Sequence, residues 1–419
     1  MALAPLTLVT KHLTSATIEA KQQGRQEPHL TGLRGILALQ SLLWIYFTTF
    51  IPGVASPGTG APGYQRFLRY VFSVPLWNGS LISSFFIILS MRTICVRFLR
   101  NPTSETYGGT IIRRIVRMAI LLACASGLAM LILSQIGTAH IDEFKAASPN
   151  KTLLTTGTPY DGLAALNSIF DLFWLTTGFA SQAGNVFWPS ATLWVSSVVY
   201  YQGWTVYILM VVLPYTRASG HLPGLALFAL GSFWYASWGW YSATGLMLAD
   251  MAANPTVSSK LKLGVRVKGE LRLPLWAIAA IAVMVGLALK YTFAVLPQYE
   301  NSLLVLHPFL DLSETMTKSQ YVAEGPYPRL DDWLVVTGIL VLVETVPQVQ
   351  SVLSNKALMF LGERAFSESL LTWLLRLLLT TRQVSSPHNV SFSGQVVSSS
   401  GFSCTPKANT RLALRPPMR

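Results

Sequence analysis

The sequence predicts an all-α polytopic membrane protein. Of its 419 residues, 51% are hydrophobic and only 12% are charged, which is about half the charged fraction of an average soluble domain. The mean hydropathy is positive, at +0.45. Several uncharged runs approach or reach the roughly 20 apolar residues that a helix needs to cross the hydrocarbon core of a bilayer. These observations together exclude an ordinary soluble globular protein.

The apolar runs predict about nine transmembrane helices, separated by loops that carry Pro, Gly or charged residues. Their approximate limits are Gly35–Ile51, Val74–Ile94, Met118–Gly137, Gly162–Ala180, Thr192–Leu213, Leu222–Leu248, Leu275–Leu296, Trp333–Val349 and Ala357–Thr380. We expect residues 1–30 to form a flexible polar arm and residues 31–380 a single transmembrane domain. The Ser-, Thr- and Pro-rich residues 381–419 are typical of a disordered tail.

The net charge of +13 arises largely from basic residues beside the predicted spans, in residues 1–35, 92–117 and 260–272. Positive loops mark the cytosolic side of a membrane protein, so we expect a cytosolic N-terminus. This topology explains the charge more simply than nucleic-acid binding, and the bilayer is the predicted partner. The same orientation places the glycosylation sequon at Asn150 in an outside loop.

The residues that could act in catalysis are few. None of the six histidines lies in a predicted span, and His140, His221 and His307 fall in predicted outside loops. An ionisable residue within a span is a functional candidate by default, which selects Asp171 in the fourth span and Glu344 in the eighth. The alternative for each is a carboxyl group bonded to a neighbouring helix. The three cysteines have no metal-ligand spacing, and we expect no metal.

Four arginines form a candidate site for a polyanion. Arg34 lies at the mouth of the first span, and Arg113, Arg114 and Arg117 precede the third. Residues three or four apart share a helix face, so Arg117 can act together with Arg113 or Arg114. Arginine is the preferred phosphate partner, because its planar fork donates two parallel hydrogen bonds. The alternative is that these residues only fix the topology.

Five segments carry a resemblance to a known family. They are Gly32-Leu-Arg-Gly35 before an apolar helix, Phe85-Phe-Ile-Ile-Leu-Ser90, residues 109–117, residues 193–202, and Phe360-Leu-Gly-Glu363 with the residues up to Thr372. Their order and spacing resemble the acyltransferase-3 family of integral-membrane O-acyltransferases, and among them the divergent fungal members.

The resemblance implies about ten transmembrane helices and transfer of an acyl group, acetyl above all, from acetyl-CoA to a hydroxyl of a small metabolite, lipid or sugar. The membrane is then the endoplasmic reticulum or the plasma membrane, and the four arginines bind the phosphates of the donor. The family also implies a catalytic histidine in the first span. In this sequence that position is Ile45, and the histidine of the last motif is replaced by Thr372.

Two other functions stay open. A transporter would share the helix count and the carboxylates within spans, although no pair of Gly- or Pro-broken spans suggests inverted repeats. A catalytically inactive relative, acting as a scaffold or partner subunit, would explain why no histidine lies in a span. The sequence does not specify the acceptor or the oligomeric state.

Overall fold

The computed structural model describes residues 27–56, 61–136, 162–174, 194–254, 264–268, 271–308 and 326–365. Most of these residues are helical. The helices are α1 (Pro28–Phe50), α2 (Pro52–Ala55), α3 (Gly63–Trp77), α4 (Gly79–Arg100), α5 (Ser104–Ile136), α6 (Gly162–Trp174), α7 (Trp194–Val212), α8 (Ala218–Trp234), α9 (Gly239–Ala253), α10 (Leu275–Val295), α11 (Leu330–Thr345), α12 (Pro347–Leu353) and α13 (356–365). Short 3₁₀ segments cover Leu213–Tyr215 and Pro297–Leu306. Two short antiparallel strands, β1 (Val265–Lys268) and β2 (Leu271–Leu273), form a hairpin in the second basic connector.

The described helices confirm an all-α, multi-pass membrane protein. Five stretches are long and apolar enough to cross a membrane, and α11 with α12 adds a sixth if the 98° bend between them lies within one span. The five are Pro28–Phe50, Gly63–Arg100, Ser104–Gln135, Trp194–Tyr215 and Leu275–Val295. The count of nine stays a prediction, because residues 175–180 and 366–380 of the expected fourth and ninth spans lie outside the described residues, as do most of the arm, the tail and Asn150.

The predicted sixth span, Leu222–Leu248, is two helices rather than one. α8 ends with a Schellman motif: the Ala236 N–H donates to the Phe233 carbonyl at 3.0 Å and the Ser237 N–H to the Ser232 carbonyl at 3.1 Å. Ala236 has the left-handed φ of 54° that this motif requires and that glycine usually supplies. The chain then turns back, and α9 packs antiparallel against α8.

Helices α4, α9 and α11 run in the same direction through the bundle. Near their starts, the Tyr241 hydroxyl lies 3.4 Å from Ser84 Oγ and donates to the Arg329 carbonyl at 2.7 Å. Further along, Gly245 of α9 contacts the backbone of Ile88 and the side chain of Met91 on α4. α10 runs antiparallel to α11 and brings Lys290 to within 2.9 Å of Ser80 Oγ at the start of α4. We call this the Lys290 end, and the opposite end, which holds Arg34, the arginine end.

Helix α7 begins at the Lys290 end, where Trp194 packs on Trp238 with ring centroids 5.7 Å apart. Toward its other terminus Tyr207 packs on Tyr107 at the start of α5. The turn after α7 and the first residues of α8, which include His221, therefore lie at the arginine end together with residues 92–117. The prediction that separated these two segments across the membrane is wrong. The loop before α7, residues 181–191, contains no basic residue. The positions of the charges in the sequence therefore gave no indication of the direction in which α7 crosses the membrane.

Two glycines allow α1 to pack against α12 and α13 with backbone atoms in direct contact. A Cβ atom on Gly32 would overlap the Leu353 carbonyl group of α12, and one on Gly362 of α13 would overlap the Thr31 carbonyl group. Backbone cannot move away as a flexible side chain can. The first and last segments of the family resemblance therefore contact each other, and glycine is required in both for packing.

Substitution Gly362→Ala should destabilise the protein by about 1–3 kcal/mol, the usual range for overpacking, because the new methyl group meets backbone. Thermal unfolding in detergent would measure the effect. Gly127→Ala is the matched control: Gly127 lies in α5 with no atom within 4 Å of a built Cβ, so helix propensity should leave stability unchanged or raised by up to about 1 kcal/mol. Equal unfolding temperatures for the two variants would contradict the close approach.

Candidate functional site

The arginine end places guanidinium groups around two hydroxyls of α4. Arg34 of α1 donates to Thr93 Oγ1 at 3.0 Å. Arg114 of α5 donates to Ser90 Oγ at 3.1 Å and to the Val199 carbonyl of α7 at 3.2 Å. Ser90 and Thr93 are three residues apart, so they share one face of α4. Two helices, α1 and α5, thus direct positive charge toward one face of α4.

Of the four predicted arginines, three come together and one does not. Arg34 lies within electrostatic range of Arg114 and Arg117, and also of Arg92 on α4. Arg113 and Arg117 are both exposed, but the Arg113 Nε donates to the Gly109 carbonyl of its own helix at 2.7 Å. The sequence could not separate Arg113 from Arg114, because either can share a helix face with Arg117.

Arg92 is the residue that sequence reasoning missed. Its side chain is only 1% exposed, and its Nη2 contacts Glu27 Oε2 at 2.7 Å and also Oε1 of Glu344, the predicted catalytic carboxylate. Glu27 additionally accepts from Arg100 at 2.7 Å. The available signal was a single arginine inside a long apolar run, which we interpreted as the start of a basic connector. Arg92 therefore joins the first helix, α4 and the end of α11.

We refer to these seven residues as the Arg92 cluster: Glu27, Arg34, Arg92, Arg100, Arg114, Arg117 and Glu344. Its five guanidinium groups exceed its two carboxylates. Arg92 is buried, Arg34 and Arg114 are half-buried, and Arg100 and Arg117 are exposed. Positive charge that the cluster's own carboxylates do not balance is an arrangement suited to an anion. The other predicted catalytic residue, Asp171, lies in α6, but its side chain is outside the described residues.

Two carboxylates of the cluster and the neighbouring His29 form a set of possible metal ligands. One atom each of Glu27, His29 and Glu344 lies within 4.8 Å of the others. The Arg92 guanidinium contacts both carboxylates, however, and a metal ion would have to displace this cation. The donor set therefore fits arginine better than a metal.

A second charged group lies at the Lys290 end. Lys290 Nζ is 2.5 Å from Asp332 and 3.3 Å from Asp331, while Arg329 donates to both Asp331 oxygens, at 3.1 and 2.9 Å. Arg329 also pairs with Glu300. The two aspartates are 0% and 1% exposed. We call these five residues the Lys290 network; it fixes the end of α10 and the start of α11 against the start of α4.

Two further groups at the Lys290 end are outside the spans and have shifted pKa values. Burial raises the pKa of Tyr327 to about 12, with the nearby carboxylates adding to it and Arg329 opposing it. Burial lowers the pKa of His307, whose Nδ1 donates to the Phe233 carbonyl at 2.6 Å. Both side chains are therefore neutral at physiological pH and act here as hydrogen-bonding groups.

The polar side chains in the first half of α7 are mostly engaged in packing. Gln202 is buried and accepts from Ser242 of α9 at 3.1 Å. Tyr200 is buried and packs edge-on against Phe173 of α6. These contacts hold α7 between α6 and α9.

Comparison with family models, with curated proteins and with solved structures finds no match for this chain. Functional inference therefore depends on the geometry of the Arg92 cluster and the Lys290 network.

Removing Lys290 should strongly destabilise the protein. Lys290→Met leaves two buried carboxylates near one arginine, and breaking a buried ion pair in this way costs about 3–5 kcal/mol. Lys290→Met combined with Asp332→Asn removes the stranded charge and should recover much of that loss. Unfolding in detergent of the single and double variants measures both values. A double variant no more stable than the single one would show that the charge balance is unimportant.

The Arg92 cluster should make stability depend on acid pH through Glu27. Burial raises the pKa of this carboxyl, but the charge and hydrogen bond of Arg92 and the charge of Arg100 outweigh burial and hold the pKa below its ordinary value of 4.5. A carboxyl group whose pKa is lower in the folded state stabilises the protein at pH values above its unfolded-state pKa. This stabilisation is lost as the pH falls through the folded-state pKa.

We therefore expect Glu27→Gln to lower the unfolding temperature at neutral pH, with a difference from wild type that shrinks as pH falls below 4.5. Glu105→Gln, at an exposed carboxylate near the start of α5, should behave like wild type throughout. A difference for Glu27→Gln that stays constant from neutral to acid pH would contradict the ion pair.

Proposed function

We propose that the protein is a membrane-embedded O-acyltransferase, which moves an acetyl group from acetyl-CoA to a hydroxyl of a small metabolite, lipid or sugar. The observation that carries the proposal is the Arg92 cluster, in which guanidinium groups from α1, α4 and α5 gather at one end of the bundle. Coenzyme A is a polyanion with several phosphate oxygens. A partly buried set of arginine forks is the protein group best matched to them.

In this proposal Arg34 and Arg117 bind the phosphates of the donor, and Arg114 orients Ser90 as an additional hydroxyl donor. Arg114 donates to both Ser90 and the α7 backbone, so it also keeps the site in shape when no donor is bound. Acetyl-CoA is made available in the cytosol, and the arginine end then faces that side. The N-terminus is cytosolic in this orientation, and the membrane is the endoplasmic reticulum or the plasma membrane.

Glu344 has a positioning role in this proposal. It contacts the buried Arg92 guanidinium, and if the carboxylate accepted a proton it would lose that ion pair. We infer that Glu344 and Glu27 hold Arg92 in place beside Arg34. The group that takes the proton of the acceptor hydroxyl is then a different residue.

The binding of acetyl-CoA to the purified protein tests the proposal. Arg34→Gln and Arg117→Gln should each weaken binding about tenfold or more, since a hydrogen bond between charged groups contributes about 1.5–3 kcal/mol. Arg113→Gln is the matched control, because Arg113 lies on the same helix but bonds to its own backbone. We expect its affinity within about twofold of wild type, by isothermal titration in detergent.

Equal losses in the Arg113 and Arg117 variants would mean that only general positive charge matters. Well-folded wild-type protein that binds no acetyl-CoA would overturn the acyltransferase proposal.

A transporter is the second candidate, and one observation favours it. The chain bends by 98° between α11 and α12, at Val346, two residues after Glu344. A broken helix with an ionisable residue near its break is typical of transporter binding sites. Solute uptake into proteoliposomes that is lost in Glu344→Gln and needs no acyl-CoA would support this function instead. Binding of acetyl-CoA without transfer to any hydroxyl would favour a catalytically inactive scaffold.

A further inference from the structure

His221 and Asp250 form a pair on the α8–α9 hairpin. His221 Nδ1 lies 3.4 Å from each carboxylate oxygen of Asp250. The Asp250 side chain is 4% exposed and that of His221 is 11% exposed. A carboxylate inside a membrane bundle is costly and calls for a functional explanation.

The surroundings of the imidazole ring resemble those of a proton acceptor. On its other side, His221 Nε2 lies 3.4 Å from the Thr216 carbonyl oxygen. Both ring nitrogens thus face oxygens that accept hydrogen bonds and cannot donate them. Only a ring protonated on both nitrogens donates to Asp250 and Thr216 together, so the contacts are complete once the ring has taken up a proton.

The pair lies at the same end of the bundle as the Arg92 cluster. Gly245 of α9 contacts Met91, next to Arg92 on α4. Asp250 follows five residues later, about 7.5 Å further along the helix toward the arginine end. Of the other described histidines, His29 lies 3.6 Å from Glu27 with a side chain 12% exposed, and His307 lies at the Lys290 end beside Phe233.

We propose that His221, held by Asp250, is the proton acceptor of the acyl transfer. This inference rests on the proposed function and adds to it a residue for the step that Glu344 does not perform. In the reaction, the acceptor hydroxyl oxygen attacks the thioester carbonyl carbon while His221 Nε2 takes the hydroxyl proton. The new C–O bond replaces the C–S bond, and the departing thiolate takes the proton back from His221, which yields the ester and free coenzyme A.

Asp250 is a positioning residue: it accepts from His221 Nδ1–H, so the proton-accepting lone pair is on Nε2, on the side of the ring that faces Thr216. When water takes the place of the acceptor hydroxyl, His221 accepts a proton from the water in the same way, and the products are acetate and free coenzyme A. This side reaction allows a test without knowledge of the natural acceptor.

The test measures release of the coenzyme A thiol from acetyl-CoA, alongside acetyl-CoA binding, in the full-length protein. His221→Gln should reduce release about a hundredfold or more, with the dissociation constant unchanged within twofold. His221→Ala should regain part of the rate when imidazole is added. Asp250→Asn should lower kcat at least tenfold with little change in KM. The control is His307→Gln, which keeps a donor for the Phe233 carbonyl and should retain wild-type release.

Each contrary result has a distinct meaning. Unchanged release by His221→Gln would overturn the role of the pair, and so would wild-type binding of acetyl-CoA with no release of thiol over a day. Loss of both binding and thermal stability in His221→Gln, without imidazole rescue of His221→Ala, would make the pair structural. Absence of binding by wild type would instead overturn the donor site, and the proposed function with it.

Discussion

A guanidinium group buried between membrane helices needs counter-charges, and Arg92 obtains them from two distant parts of the chain. Glu27 precedes α1 and Glu344 lies at the end of α11, so one side chain of α4 joins the beginning and the end of the described bundle. Each carboxylate alone would leave a partly uncompensated charge in a low dielectric. This ion-pair triad fixes the place where α1 meets α4, and hence where Arg34 meets Thr93.

The bundle separates its charges into two groups with different properties. The Arg92 cluster has more cations than carboxylates and shares its end of the bundle with His221 and Asp250. The Lys290 network has three carboxylates against two cations, and it ties α10 and α11 to the start of α4. Because α4 and α11 run from one group to the other, a change at either end can act on the other through rigid helices. The excess of positive charge is the feature that favours a polyanionic donor.

Much of the membrane architecture could be predicted from the sequence, because the length of an apolar run shows whether a helix is long enough to cross the bilayer. The α8–α9 turn could not, since it is built on Ala236 in a conformation that sequence patterns assign to glycine. Arg113 and Arg114 are neighbours that point about 100° apart on a helix, and only tertiary contacts select one. The partner of Lys290 is about forty residues away in the sequence, where local patterns carry no information. Arg92 lies two residues after the Phe85–Ser90 segment, and its burial depends on α1 and α11 together.

The most direct measurement is an experimental structure of the protein in a lipid nanodisc with coenzyme A bound. We expect phosphate density in contact with Arg34 and Arg117, with Arg92 still paired to Glu27 and Glu344 beneath it. Density for the ligand at the Lys290 end, or between α11 and α12 with no arginine in contact, would contradict the assignment of the Arg92 cluster as the donor site.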